Sequence, residues 1–169
     1  MSTSKEHDHF DLLIIGAGQA SVPLASALHG AGWCVAVAER EHLGGSCVNF
    51  GCIPTKAVIE SAKLAHQARR AADYGLKIPS VEVDFAAVLD GAKALVESSR
   101  DSLRETFEGS DSPTLIKGNA VIQGRQGDLF VVKVGEEPVL AKQLVDGAVG
   151  AGLDLIVEVD KWPPEFFGQ

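Results

Sequence analysis

The sequence predicts an α/β fold, a parallel sheet carrying helices with a small β-meander after it. Three observations predict it. A short apolar run, Phe10–Ile15, leads directly into a glycine turn, Gly16-Ala17-Gly18, and then into a helical stretch. A second apolar run over 33–38 ends on an acid, Glu39. Three short β segments with glycine-containing turns between them lie from Thr114 to Val134.

Length and composition agree with this reading. A chain of 169 residues corresponds to about one domain and is long enough to bury a sizeable core. Its 46% apolar and 22% charged residues are ordinary for a soluble globular protein. The formal charge of −8, with no basic block, makes nucleic acid and anionic membranes poor partners. The apolar stretches are far shorter than the roughly 20 residues needed to span a bilayer. The segment before Phe10 is charged and does not resemble a secretory signal, so a cytoplasmic location is expected. Three cysteines, Cys34, Cys47 and Cys52, are too few for a secreted disulfide framework. In a reducing compartment a disulfide between any two of them would be catalytic rather than structural.

Taken in order, residues 1–9 read as a flexible tail, in which His7 and His9 are better explained by a frayed terminus than by a metal site. Phe10–Ile15 reads as a strand buried on both faces. Gln19–His29 reads as a helix closed by Gly30 and Gly32, with Pro23 acceptable only in its first turn. Trp33–Ala38 is a second strand, and a strand–helix–strand unit of this size makes the two strands parallel. Residues 40–53 are glycine-rich and irregular. A helix follows from Ile53-Pro54 to about Ala72, with Ala57, Val58, Ala62, Leu64, Ala65 and Ala68 as its apolar positions and Arg69 and Arg70 at its C-terminal end. Asp84 caps a second long helix, Phe85 to about Glu108, whose stripe is Val88, Leu89, Ala92, Leu95, Val96 and Leu103. The segments Thr114–Lys117, Ala120–Gln123 and Leu129–Val134 form the β-meander.

Two motifs carry chemistry. Gly16-Ala17-Gly18-Gln19-Ala20-Ser21 lies between a strand and a helix, with Glu39 about 20 residues further on, as a dinucleotide fingerprint requires. Gly16 permits the tight turn, Gly18 lets backbone approach a pyrophosphate, and the amides at the helix N-terminus bind the anion. Glu39 can accept hydrogen bonds from ribose hydroxyls. Ser21 stands where a Gly or Ala is usual. The other motif is Cys47-Val48-Asn49-Phe50-Gly51-Cys52, whose spacing is not that of a zinc site or of a thioredoxin-like motif. No third or fourth metal ligand is evident, so no metal is expected. Cys34 reads as a small hydrophobe within a strand. Cys52 falls at a helix start, where the macrodipole favours a thiolate, and Lys56 lies one turn further on the same face. On the residues alone the pair reads as a redox-active dithiol or as two structural thiols.

Gly44-Gly45-Ser46-Cys47-Val48-Asn49-Phe50-Gly51-Cys52-Ile53-Pro54-Thr55-Lys56 resembles the active-site signature of the FAD-dependent class I pyridine nucleotide–disulfide oxidoreductases. The resemblance spans residues 10–142, and the Pro-Thr-Lys ending and the helix after it look most like the mercuric reductase branch; dihydrolipoamide dehydrogenase belongs to the same family. It implies a Rossmann-like FAD-binding domain, incomplete relative to the family. It implies that Gly16, Gly18, Gln19, Ala20 and Ser21 bind the FAD pyrophosphate, and that Glu39, with Arg40 beside it, meets the adenosine ribose. Gly44, Gly45, Ser46 and Cys47 would line the FAD cleft, and Lys56 would lie beside the flavin. Gly118-Asn119-Ala120 resembles the segment that meets the adenine, through Ala120. Cys52 would be the flavin-facing sulfur, in charge-transfer contact when reduced, and Cys47 the interchange thiol. In full-length members, which are homodimers, NAD(P)H reduces FAD, FAD reduces the disulfide, and the dithiol reduces substrate.

The resemblance has limits in this sequence. No second NAD(P)H fingerprint and no His–Glu interface pair are found, so the chain is expected to be incompetent in turnover alone. From residue 143 the family's apolar strand and Thr-Gly turn are expected to give way to an atypical tail, 143–169, from a frameshift or a truncation, within which Leu155–Val159 could form a strand. The residues present do not choose between Hg(II), a dihydrolipoyl group and a small disulfide as substrate. A flavin-free thiol–disulfide switch module is the alternative reading.

Overall fold

The computed structural model describes residues 9–109 and 111–147. The chain divides into two compact units, one built from the chain up to Glu41 and from Thr106 onward, the other from His42–Glu105.

The first unit is a six-stranded sheet with one helix. Its strands are β1 (Phe10–Ile15), β2 (Val35–Glu39), β3 (Thr114–Lys117), β4 (Ala120–Gln126), β5 (Leu129–Val134) and β6 (Glu137–Asp146). Their order across the sheet is β3-β2-β1-β6-β5-β4. β1 pairs in parallel with β2 and β6, and β2 in parallel with β3. β4, β5 and β6 form the antiparallel meander. Helix α1 (Ser21–Gly30) joins β1 to β2, with Pro23 in its first turn, and buries Val22, Ala25 and Leu28. β1 and β2 line the core: Leu12, Leu13 and Ile14 of β1 are wholly buried, and Val35–Ala38 of β2 are nearly so. Because side chains alternate along a strand, β1 serves two apolar layers. Leu13, with Ala36 and Ala38, belongs to a cluster with Phe130, Val132, Val134, Val139, Ala141 and Leu144 of the meander. Leu12 and Ile14, beside Val35 and Val37, face the opposite side.

β6 differs from expectation. The atypical tail expected from residue 143 begins inside this strand, since Gln143–Asp146 pair in register with Leu12–Ile15. The first half of β6 pairs with β5 through Glu137–Ala141. One strand therefore joins the meander to the parallel sheet, and its polar Lys142, Gln143 and Asp146 hide it from a reading that looks for a continuous apolar run. Asp11 clips the same region: its Oδ1 meets Lys142 Nζ at 2.7 Å, and its Oδ2 accepts the Cys34 amide at 2.9 Å. Burial alone would raise the Asp11 pKa, but the Lys142 hydrogen bond, the Cys34 amide and the Lys142 charge outweigh it and hold the carboxyl below its ordinary value. The possible strand Leu155–Val159 and the histidine at position 7 lie outside the described residues.

The second unit is helical: α2 (Gly45–Asn49), α3 (Cys52–Arg69), a 3-10 turn (Ala71–Tyr74) and α4 (Phe85–Glu105). The segment expected to be irregular between 40 and 53 thus contains the short helix α2. α3 ends with His66 and Arg69 in its last turn, as suits the negative end of the helix dipole. At the start of α4, Asp84 Oδ1 accepts the Ala87 amide at 3.0 Å, the expected cap. α3 packs on α4, but their seam is narrow. Only Ala92 and Val96 of α4 are buried, and α3 buries no residue fully. Leu64, Leu89 and Leu95, expected on apolar faces, are exposed: helical periodicity identifies a stripe but not what covers it. No described helix is long and apolar enough to cross a membrane.

Leu13→Ala is expected to lower stability by about 2–5 kcal/mol, while Leu64→Ala should change it by less than about 0.5 kcal/mol; urea unfolding midpoints of the two variants check this. The lowered Asp11 pKa gives a sign. The Asp11–Lys142 clip stabilises the fold above the ordinary carboxylate range, and its contribution disappears as pH falls through the lowered pKa. Asp11→Asn should therefore lower the thermal midpoint at pH 7 and leave a smaller difference in strong acid.

Candidate functional site

The carboxyl ends of β1, β2, β3 and β6 lie together along one edge of the parallel sheet, the edge at which open α/β sheets bind ligands. Four segments leave from it. After β1 comes the turn Gly16–Ala20 into α1. Gly16 has φ +88°, a left-handed conformation that costs glycine nothing. The Gly16 amide donates to Ala38 O at 2.7 Å, and Ala17 donates to Glu39 Oε2 at 2.8 Å. Glu39, at the end of β2, also accepts the Glu41 amide at 2.8 Å through Oε1. Its carboxylate therefore fastens the turn from below.

The Glu39 carbonyl accepts the Gly118 amide at 2.9 Å. That bond brings the segment Gly118-Asn119-Ala120, between β3 and β4, beside Glu39. Ala120 is half-buried, and Arg40 points outward with a loose ion pair to Glu41 at 3.7 Å. The fold thus brings together the expected residues Gly16, Gly18, Gln19, Ala20, Ser21, Glu39 and Ala120, with Arg40 at the margin.

The mouth of the turn is open to an anion. Helix α1 has no side-chain cap. Among the described residues, the amides of Gly18, Gln19, Ala20 and Ser21 have no hydrogen-bond partner. Unpartnered donors at a helix start carry the positive end of its dipole. Gly18 supplies a test of fit. Among the described residues a Cβ there would meet a single neighbour within 4 Å, the Gly147 carbonyl oxygen at 3.7 Å. Packing among the described residues does not demand glycine at 18; a group lying against the turn would. The residues fit a pyrophosphate.

The dithiol motif belongs wholly to the helical unit. Gly44, with φ +88°, caps α2, which carries Gly45, Ser46, Cys47, Val48 and Asn49. Gly51 then leads into α3, so Cys52 is the first residue of that helix. Thr55 reinforces this start, donating from N to Gly51 O at 3.1 Å and from Oγ1 at 2.7 Å. Space at Gly51 is tight: a Cβ would lie 3.2 Å from Ser46 O and 3.5 Å from Cys47 Cα. A larger residue there would push the two cysteine-bearing segments apart.

Cys47 is half-buried and Cys52 exposed, both as free thiols. The Cys52 thiol beside it, then desolvation, hold the Cys47 thiol above the ordinary cysteine range. The Lys56 charge acts in the expected direction and lowers the Cys47 thiol, but the raising causes outweigh it.

Asn49 is a residue that sequence reasoning left without a role. It is 8% exposed, and its Nδ2 donates to Leu43 O at 2.9 Å and Gly45 O at 2.8 Å. It ties the loop before α2 to the cysteine helix, and its Oδ1 is buried without a partner. Its place between the cysteines was visible; its buried amide was not. Among the described residues no cluster of three His, Cys, Asp or Glu could hold a metal ion.

Known proteins match this arrangement. The model of the family described as pyridine nucleotide-disulphide oxidoreductase matches residues 10–151. The dihydrolipoyl dehydrogenase of Zymomonas mobilis is 31% identical over 144 residues, 85% of this chain and 31% of that protein. The dihydrolipoyl dehydrogenase of Chlorobaculum parvum is 33% identical over 145 residues, 84% of this chain and 30% of its own length. The mercuric reductase of Streptomyces lividans is 37% identical over 95 residues, 56% of this chain and 20% of that protein. The chain spans about a third of the length of the curated relatives it matches most fully. The family and these relatives are FAD-dependent. The sheet with its α1 crossover is a Rossmann-like FAD-binding fold, and the chain belongs to the pyridine nucleotide–disulphide oxidoreductase family.

Proposed function

We propose that this chain is the FAD-binding, redox-dithiol portion of a flavoprotein disulfide reductase. The observation that carries the reading is the run of four unpartnered amides, Gly18–Ser21, at the carboxyl edge of a parallel sheet in a member of this family. In this reading Gly16, Gly18, Gln19, Ala20 and Ser21 cradle the pyrophosphate. Glu39 binds the ribose, with Arg40 at the rim, and the Gly118–Ala120 backbone meets the adenine. Gly44, Gly45, Ser46, Cys47 and Lys56 take the flavin end.

Bound FAD would supply the electron pair that opens a Cys47–Cys52 disulfide. The remaining chemistry belongs to the two sulfurs. The Cys47 thiolate attacks one sulfur of a substrate disulfide, forming a mixed disulfide and releasing a thiolate that takes up a proton. Cys52, as thiolate, then attacks the Cys47 sulfur, closing Cys47–Cys52 and releasing the second substrate thiol. Two electrons leave the dithiol and two reach the substrate. The helix start at Cys52 and the cation of Lys56 favour negative charge on the pair. Oxidation of NAD(P)H is assigned to sequence that the relatives have and this chain does not span, and turnover by this chain alone is not expected.

Two measurements test the reading. Purified chain titrated with FAD should quench flavin fluorescence. Gly18→Ala should keep its melting temperature within a few degrees yet weaken binding at least about tenfold, because the added methyl fills space that only the ligand needs. A wild-type chain that remains colourless with excess FAD overturns the flavin assignment and leaves the thiol pair as the functional element. For the thiols, Cys52→Ala removes the neighbouring thiol that raises Cys47. Its Cys47 pKa should fall back toward the ordinary value, and alkylation of Cys47 by iodoacetamide at pH 7.5 should run a few-fold faster than in the reduced wild type, the gap narrowing as pH rises. Equal rates at neutral pH would show that the two sulfurs do not interact in solution.

A further inference from the structure

The third small position of the fingerprint carries Ser21 where Gly or Ala is usual, and Ser21 is the first residue of α1, only 3% exposed. Its hydroxyl occupies space that exists because of a residue far away in sequence. Gly147 directly follows β6, and its amide donates to Ile15 O at 2.7 Å, the residue just before the turn. A Cβ at Gly147 would overlap Ser21 Oγ, and would lie 3.2 Å from Ile15 O and 3.4 Å from Gly16 O. The Gly147 carbonyl in turn is the nearest neighbour of a Cβ built at Gly18. The end of β6 is therefore seated against the turn at Ile15, Gly16, Gly18 and Ser21 together.

We propose that Ser21 and Gly147 are a matched pair, and that Gly147 is a positioning residue of the nucleotide turn. The missing side chain at 147 admits the Ser21 hydroxyl, and so sets where the first turn of α1 and the Gly18–Ser21 amides come to rest. A methyl group at 147 must push the backbone of β6 off Ile15, displace Ser21, or turn its hydroxyl to another rotamer inside a buried site. We take the packing around the buried hydroxyl to resist that turn, and the two other movements carry the amides away from the common focus that anion binding by several donors requires. The effect on affinity rests on the dinucleotide reading above; the positioning itself does not.

The test is a double-mutant cycle on the 169-residue chain with Gly147→Ala, Ser21→Ala and both. FAD affinity is read by fluorescence quenching. Amide hydrogen exchange over residues 16–22 is read without ligand. Gly147→Ala is expected to weaken FAD at least tenfold and to speed exchange in that segment. In the Ser21→Ala background, where the obstructing oxygen is gone, the same change should cost less than threefold and leave exchange near that of Ser21→Ala. Equal cost in both backgrounds, or a cost below twofold in the wild type, overturns the proposal. If Gly147→Ala does not fold while the double variant does, the pair is matched as proposed. If neither folds, the hydroxyl is not the constraint and the proposal fails. Absence of FAD binding by the wild type defeats the dinucleotide reading instead, and exchange in the unliganded variants then decides the positioning role: protection lost in Gly147→Ala and regained in the double variant supports it, and no such pattern overturns it.

Discussion

The parallel pairing of β1 between β2 and β6 is the constraint on which the nucleotide edge depends. Ile15 stands opposite Ala38 on one side and Asp146 on the other. That register brings the turn after β1, the acid that ends β2 and the glycine that follows β6 to one line. Wholly buried Leu12, Leu13 and Ile14 hold it by apolar contact on both faces, and a shift of one residue would exchange the two faces. The backbone bonds at the edge, Gly16 to Ala38 and Gly147 to Ile15, extend the same ladder into the loops. The glycine turn is thus shaped from three strands rather than by its own residues.

Glu39 shows how one side chain can serve the fold and the site together. Its carboxylate holds the Ala17 and Glu41 amides, while its carbonyl holds Gly118. Fastening the turn with a charged acceptor is stronger than doing so with a neutral one. The dithiol is organised differently. Its geometry is local, set by two short helical starts, the crowded Gly51 and the buried Asn49 amide.

Much of this was legible because the relevant signals are short-range. The apolar run Phe10–Ile15, the turn at Gly16–Gly18, the cap at Asp84 and the acid at Glu39 each depend on neighbours within a few residues, and each lies where expected. α2 was not legible, since Gly44-Gly45-Ser46 offers a poor helix start by propensity; packing of Val48 and the Asn49 hydrogen bonds determine it. β6 was not expected at all, because Lys142, Gln143 and Asp146 break the apolar pattern, although pairing with β1 tolerates them. The faces bearing Leu64, Leu89 and Leu95 could not be resolved from periodicity, which is blind to what lies opposite. The pairing of Ser21 with Gly147 was invisible, because it joins positions with no sequence relation.

The clip between Asp11 and Lys142 spans 131 residues, whereas the two active sulfurs are separated by a single short loop. These distances impose an order on assembly. Contacts close in sequence form early and cheaply, while closing a long loop must wait for its far end. During synthesis the cysteine loop and its helix are available while the ribosome is still making the meander. The central strand, however, lacks its second neighbour until β6 has emerged. The cysteine pair is therefore exposed in the nascent chain before the carboxyl edge of the parallel sheet exists, and that edge is completed only at the last stage of folding.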